Sequence, residues 1–256
     1  MELKLISNQV NQIIQVVGAY IKKERGKITA KEISDKSLNN LVSYVDKTAE
    51  QMLVSALSQI LPEAGFLTEE KTVKQESKSL RWIIDPLDGT TNFLFGLPIY
   101  SVSVALAQDE DILVGAVFIP ELNELFSATK NGGAYLNNQL ISVSKTKTIS
   151  ASLVATGFPY YRFEYMDRYI AMLEKYMRET RGVRRLGSAA VDLAYVACGR
   201  FDFYFEFELN PWDIAAGLLI VAEAGGKTSN FDGKSSAFSG KEILASNGVM
   251  HGILLE

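Results

Sequence analysis

Asp85 and Asp88 stand three positions apart in Trp82-Ile83-Ile84-Asp85-Pro86-Leu87-Asp88-Gly89-Thr90-Thr91-Asn92-Phe93. Trp82 to Ile84 reads as a short buried strand, and a strand end is a rigid mount for acids. Gly89-Thr90-Thr91 reads as a turn, where a missing side chain lets bare backbone N–H groups approach a ligand. Paired carboxylates beside such a turn suit a hard cation lying next to a phosphate. Glu69 and Glu70 end another apolar run, and Asp213 opens a further element before Ile214. Each acid alone has an ordinary explanation: turn dipeptides at Asp85 and Asp88, a solvated turn at Glu69, a helix N-terminal carboxylate at Asp213. Acids at three element ends are less easily explained by three separate coincidences. Carboxylates packed within a few ångströms repel one another and need cations to stay ionised. An all-oxygen set without His or Cys favours Mg²⁺, Mn²⁺ or Ca²⁺. A glycosidase pair fits less well, because acids three residues apart around a turn leave little room for a sugar.

Other chemistries have thin support. The single histidine, His251, lies near the C-terminal end beside Gly252 and reads as a surface residue. A Ser-His-Asp or Cys-His mechanism would rest on it alone, and histidine-rich zinc sites are excluded. The single cysteine, Cys198, reads as a small buried residue on the apolar side of a helix. One cysteine excludes an internal disulfide and fits a reducing compartment, here the cytoplasm. Gly225-Gly226-Lys227-Thr228 mimics the end of a P-loop, but Val221 stands where its first glycine belongs, and these glycines follow a helix. A net charge of −4 argues against a general nucleic-acid binder. No apolar run reaches the ~20 residues that span a bilayer, and Met1-Glu2-Leu3-Lys4 has no export character.

The elements that must carry these acids can be read from periodicity. Val10, Ile13, Ile14, Val17 and Ile21 recur at helical spacing, as do Val45, Ala49, Met52, Leu53, Ala56 and Ile60 before Pro62. Gly26 to Asn40 reads as a polar loop. Ser101 to Leu106 and Ile112 to Ile119 alternate as antiparallel strands, followed by shorter ones at Glu124 to Thr129 and Ala134 to Leu136. Past Lys147 strands and helices alternate: strand Ser152–Thr156, helix Met166–Met177, strand Val183–Leu186, helix Ser188–Cys198, strand Phe201–Phe207, helix Ile214–Ala224. Final strands are expected at Lys227–Ser229 and Glu242–Ala245. The 256 residues fit one layered α/β domain of two intimate halves. Residues 1–147 form the metal- and phosphate-binding half; residues 148–256 complete the site.

The stretch from Trp82 to Phe93 closely resembles the first signature of the inositol monophosphatases. Trp212-Asp213-Ile214-Ala215-Ala216-Gly217, running on to Glu223-Ala224-Gly225-Gly226, resembles their second. Thr68-Glu69-Glu70, Leu186-Gly187-Ser188-Ala189-Ala190 and the strand ending at Glu206 match in order, so the resemblance covers nearly the whole chain. It implies an α-β-α-β-α sandwich, a homodimer, and Mg²⁺-dependent, lithium-sensitive hydrolysis of a small phosphate monoester, with Mn²⁺ a possible substitute. It implies that Glu69, Asp85 and the Leu87 carbonyl hold one cation, that Asp85, Asp88 and Asp213 hold a second, and that a third sits near Glu69 through waters. Asp46 would lie just outside these ligands. Glu69 and Thr90 would orient the attacking water, the Gly89 and Thr90 N–H groups would bind phosphate, and Asp88, Ala189 and Glu206 would meet the alcohol. Asn210-Pro211 replaces the His-Cys of animal enzymes on the substrate side. The leading substrate is myo-inositol monophosphate. Alternatives are histidinol phosphate, fructose 1,6-bisphosphate or a 3′(2′)-phosphonucleotide. A different class of role, seen in some bacterial relatives, is regulatory partnership with the transcription or translation machinery through protein contacts, with no direct nucleic-acid or membrane binding.

Overall fold

A computed structural model describes residues 2–29, 33–37, 40–75, 78–159, 164–234 and 241–255. Two helices, α1 (Leu3–Glu24) and α2 (Tyr44–Ile60), flank a small hairpin of β1 (Ile33–Ser37) and β2 (Asn40–Ser43). Part of the expected Gly26–Asn40 loop is therefore strand; its residues 30–32, 38 and 39 lie outside the described set. A seven-stranded sheet follows: β3 (Gly65–Thr68), β4 (Leu80–Asp88), β5 (Ser101–Gln108), β6 (Asp111–Ile119), β7 (Glu124–Thr129), β8 (Ala134–Leu136) and β9 (Gln139–Leu140), in that spatial order. It is the expected antiparallel meander, except that β3 runs parallel to β4. The short helix α3 (Thr90–Leu94) leaves β4 at Gly89.

The second half contains β10 (Leu153–Thr156), α4 (Met166–Glu179), β11 (Gly182–Arg184), α5 (Ala189–Ala197), β12 (Phe203–Phe207), α6 (Pro211–Glu223), β13 (Lys227–Ser229), β14 (Glu242–Ser246) and α7 (His251–Leu254). Its strands form a five-stranded mixed sheet ordered β11-β10-β12-β14-β13.

Period-two alternation explains the layering, because neighbouring residues of a strand face opposite sides. On β4 and β5, Trp82, Ile84, Val102, Val104 and Leu106 pack against Val10, Ile14 and Val17 of α1 and Ala49, Leu53 and Leu57 of α2. Ile83, Ala105 and Ala107 face the other way, onto α5 and α6. Those two helices are apolar nearly all round, as a helix between two sheets must be. Their far side meets Ala155, Tyr204, Ile243 and Ala245 of the smaller sheet. The outer face of that sheet, Val154, Phe203, Phe205 and Leu244, is covered by Tyr169 and Tyr176 of α4 and Leu254 of α7. The result is the expected α-β-α-β-α sandwich. Among the described residues no helix is long and apolar enough to cross a membrane.

Two single residues differ from expectation. Cys198 caps α5 and is only partly buried. His251 is buried, not exposed: its Nε2 pairs with Ser229 Oγ at 2.9 Å and its Nδ1 with Ser246 Oγ at 2.8 Å. It ties α7 to β13 and β14, a role that only long-range packing creates.

Candidate active site

The acids converge on one cleft at the ends of both sheets and of α5 and α6. Glu69 follows β3, where its N–H donates to Ile84 O at 3.2 Å and so extends the ladder onto β4. Asp85 and Asp88 do not follow the strand, as their turn-like sequence suggests; they belong to β4, with a bulge between them opposite Ser101 and Ser103 of β5. Pro86 has no N–H to give to a ladder, and a bulge tolerates that loss. Asp85 Oδ1 accepts the Leu87 N–H at 3.0 Å. Gly89 then takes φ +91, and a Cβ there would lie 3.1 Å from Gly187 O and 3.2 Å from Ile99 O. Left-handed backbone and close contact both demand glycine.

Asp213 is the third residue of α6, behind Asn210 as cap and Pro211 at the first helical position. Its Oδ2 accepts the Asn210 N–H at 2.6 Å, so the helix start fixes the carboxylate and aims its remaining oxygen elsewhere. Asp88 Oδ2 accepts Ser188 Oγ at 2.7 Å and the Ala190 N–H at 2.8 Å. The start of α5 thereby docks onto the end of β4. Thr90 Oγ1 lies 2.9 Å from both Asp46 Oδ1 and Leu87 O. Asp46, buried at the start of α2, is itself held by Ser43 N and Oγ at 2.8 and 2.7 Å.

Burial and mutual repulsion both disfavour the charged form of these carboxyls. Burial, then the charges of Glu69, Asp88 and Asp213, raises Asp85 well above the usual range, and it shares a hydrogen bond with Glu69. Burial, then the charges of Asp88 and Glu69, also raises Asp213 well above the usual range. Burial pushes Asp88 up to about 6, against the Ser188 and Ala190 donors that hold it down. Burial also raises Asp46. Among the described residues no three acid, His or Cys side chains close on a single point as a ready-made metal cage. The chemistry of the carboxylates fits hard cations: all donors are oxygens, and a bound positive charge would offset both their burial and their mutual repulsion.

The opposite wall holds Glu206, on β12, and Arg185. Glu206 is buried and accepts the Tyr204 hydroxyl. Burial pushes it up to about 7, opposed by Tyr204 and by the Arg185 charge. A Cβ on Gly157 would sit 1.9 Å from Glu206 Cδ, so glycine there makes room for the carboxylate. Behind lies Asp192 of α5, fully buried, with one oxygen lacking a partner and its pKa raised well above normal by burial and by Glu206 and Asp88.

The cleft is lined by Glu69, Asp85, Leu87, Asp88, Gly89, Thr90, Ala189, Glu206 and Asp213. Asp46 stands one hydrogen bond behind, through Thr90. Ala189 lines the wall, but the N–H that reaches Asp88 belongs to Ala190. Sequence reasoning also missed Arg185, Ser188, Tyr204 and Asp192. Ser188 had a signal, since a serine opening an apolar helix is a favoured cap, and so did Tyr204, two residues from Glu206 on one face of the same strand; Asp192 had none, being an ordinary residue within a helix.

The profile of the Inositol monophosphatase family matches residues 3–256. The chain is 38% identical over 250 residues to Inositol-1-monophosphatase of Mesorhizobium japonicum, covering 97% of this chain and 94% of the relative. It is 42% identical over 219 residues to Nus factor SuhB of Escherichia coli K12, covering 85% and 82%. Among solved structures, extragenic suppressor protein suhB of Bartonella henselae superposes with a TM-score of 0.93 at 37% identity, covering 98% and 97%. With its signatures set around one acidic cleft and its whole length matched, the chain belongs to the inositol monophosphatase family.

Proposed function

We propose that the protein hydrolyses a small phosphate monoester, with myo-inositol monophosphate as the leading substrate, by in-line attack of water in the presence of Mg²⁺. The observation that carries this reading is the convergence of Glu69 after β3, Asp85 and Asp88 on β4, and Asp213 on α6, three separate elements, on one buried cleft beside a glycine turn. Glu69, Asp85 and Leu87 O would hold one cation and Asp85, Asp88 and Asp213 a second, with a third near Glu69 through waters. Bound Mg²⁺, or Mn²⁺ in its place, would neutralise these acids, lower the pKa of water and offset charge on the phosphate.

The protein's own groups then have separable tasks. The Thr90 hydroxyl has one proton and two acceptors, Asp46 Oδ1 and Leu87 O; with Leu87 O holding a cation, that proton would go to Asp46. The Thr90 oxygen would then be left to accept a hydrogen bond from the attacking water, and Glu69 would accept the water's proton. The first-turn N–H groups of α3, at Gly89 and Thr90, suit phosphate oxygens. Glu206, fixed by Tyr204, and Asp88, fixed by Ser188, suit hydroxyls of the alcohol, with Ala189 alongside. We place this activity in a cytoplasmic homodimer.

The same wall would accept an amine in place of a hydroxyl, so histidinol phosphate remains the nearest competing substrate, with fructose 1,6-bisphosphate and phosphonucleotides behind it. A second reading rests on the relative named Nus factor: partnership with the transcription machinery, made through protein contacts because the net charge is −4. Phosphate release from a panel of monoesters, with and without Mg²⁺, separates the two. Wild type should release phosphate only with Mg²⁺, and Asp88→Asn should not. No release from any ester would leave the regulatory reading alone; full activity in Asp88→Asn would refute the site.

A further inference from the structure

The buried side of α2 carries two acids one helical turn apart, Asp46 and Glu50, at 1% and 0% exposure. Positions four apart share a helix face, so both point the same way. Asp46 holds Thr90. Glu50 holds something else: Oε2 accepts the Glu70 N–H at 2.7 Å, while Oε1 accepts the Thr72 N–H and the Thr72 hydroxyl, each at 2.7 Å. All three partners are neutral donors. A carboxylate buried without a cation is a costly way to fasten a loop. Lys71, between the two anchored amides, takes φ +54, the left-handed region that side chains disfavour. The segment is wound around the Glu50 carboxylate as successive amides wind around an anion.

The consequence falls on Glu69. The Glu70 N–H and the Glu69 carbonyl belong to one rigid peptide plane. Glu50 therefore fixes the plane that follows Glu69, while the bond from Glu69 N–H to Ile84 O fixes the one that precedes it. The direction of the Glu69 side chain follows from these two planes. One helix thus positions both groups assigned to the water: Thr90 through Asp46, and Glu69 through Glu50.

We propose that Glu50 is a positioning residue, whose buried carboxylate orients Glu69 toward Asp85 and so sets the affinity of the cation these two share. The proposal rests on the metal-dependent phosphatase reading for its link to catalysis, but its effect on cation binding can be read without substrate. The Glu50→Gln variant keeps the shape and leaves one acceptor oxygen, so its amide N–H₂ must confront either the Glu70 or the Thr72 donors. Groups that support metal ligands from behind change metal affinity by about 10–100-fold when removed. Mn²⁺ titration by electron paramagnetic resonance should show a loss of that size in Glu50→Gln, with faster hydrogen exchange at the Glu70 and Thr72 amides. With Mg²⁺ restored to saturation, kcat should fall while KM for the ester stays unchanged, a split that general loosening of the fold would not give. Thr72→Val removes a single donor and should weaken Mn²⁺ binding by about two- to tenfold. Should Glu50→Gln fail to fold, Thr72→Val decides alone. Equal Mn²⁺ affinity in wild type and a folded variant overturns the proposal, even where exchange rises. A wild type that binds Mn²⁺ but hydrolyses no ester would refute the phosphatase reading and leave the positioning role of Glu50 intact.

Discussion

Removing one buried hydroxyl, in Tyr204→Phe, tests how the substrate wall works. Tyr204 is fully buried, and its hydroxyl donates to Glu206, whose pKa lies at about 7. Phenylalanine keeps the ring and its packing, so the loss is the hydrogen bond alone. A bond to a charged group contributes about 1.5–3 kcal/mol; at 1.36 kcal/mol per unit, Glu206 should rise by roughly one to two units. The direction for stability follows from linkage. A carboxyl whose folded pKa exceeds its unfolded value of 4.5 favours folding below that value, and this advantage is lost as pH rises through about 7. In Tyr204→Phe the loss goes further, so the variant should trail wild type most above pH 8 and least near pH 5. The kinetic consequence follows the same sign. In the proposed function Glu206 accepts a substrate hydroxyl, and it does so more strongly when ionised, so KM at pH 7 should rise about tenfold, the equivalent of ~1.4 kcal/mol. It should recover toward pH 9, with kcat little changed. Initial rates from pH 5.5 to 9 and urea midpoints at both extremes measure this. A KM–pH profile that superposes on wild type would refute the idea that Tyr204 sets the charge of Glu206.

Three further outcomes follow from the same geometry. Gly157→Ala places a Cβ 1.9 Å from Glu206 Cδ and must displace that carboxylate; it should raise KM and cost about 1–3 kcal/mol in stability, and unchanged values in both would contradict the packing. Thr90→Val keeps the shape of Thr90 but removes the hydroxyl held by Asp46; kcat should fall by about 10²–10⁴-fold with Mn²⁺ binding retained, and a near-normal kcat would remove Thr90 from the chemistry. Burial lowers the His251 pKa from 6.5 to about 4. The unfolded chain therefore takes up the proton first, and His251 stabilises the fold above pH 6.5 and loses that contribution as pH falls toward 4. After allowance for screening this is roughly 1–2 kcal/mol; His251→Gln should flatten the urea midpoint over that range, and an identical slope in both proteins would refute it.

What the sequence disclosed and what it concealed divide along physical lines. The apolar alternation of β4 to β7 and the stripes of α1 and α2 announced themselves, because burial acts on every second or every third and fourth residue. The acids were legible because they interrupt apolar runs where a side chain leaves the core. The β1–β2 hairpin was hidden, since its strands are short and polar and carry no alternation. Helix α3 looked like a turn because five residues are too few for periodicity. Asp192 and Glu50 were hidden for another reason: each owes its surroundings to groups distant in the chain, a proximity that composition does not record. Glu50 is one polar residue on a buried helix face, indistinguishable in sequence from a solvated one. His251 misled for the same reason, as its two serine partners arrive from separate strands.

The central claim is that the acid cleft is a cation site serving phosphate. Anomalous diffraction from crystals soaked in Mn²⁺ tests it most directly. Peaks are expected among Glu69, Asp85 and Leu87 O and among Asp85, Asp88 and Asp213, with a weaker third beside Glu69, and the second should be lost in Asp213→Asn. Crystals with no anomalous density in this cleft at saturating Mn²⁺, or with peaks only elsewhere on the protein, would contradict it.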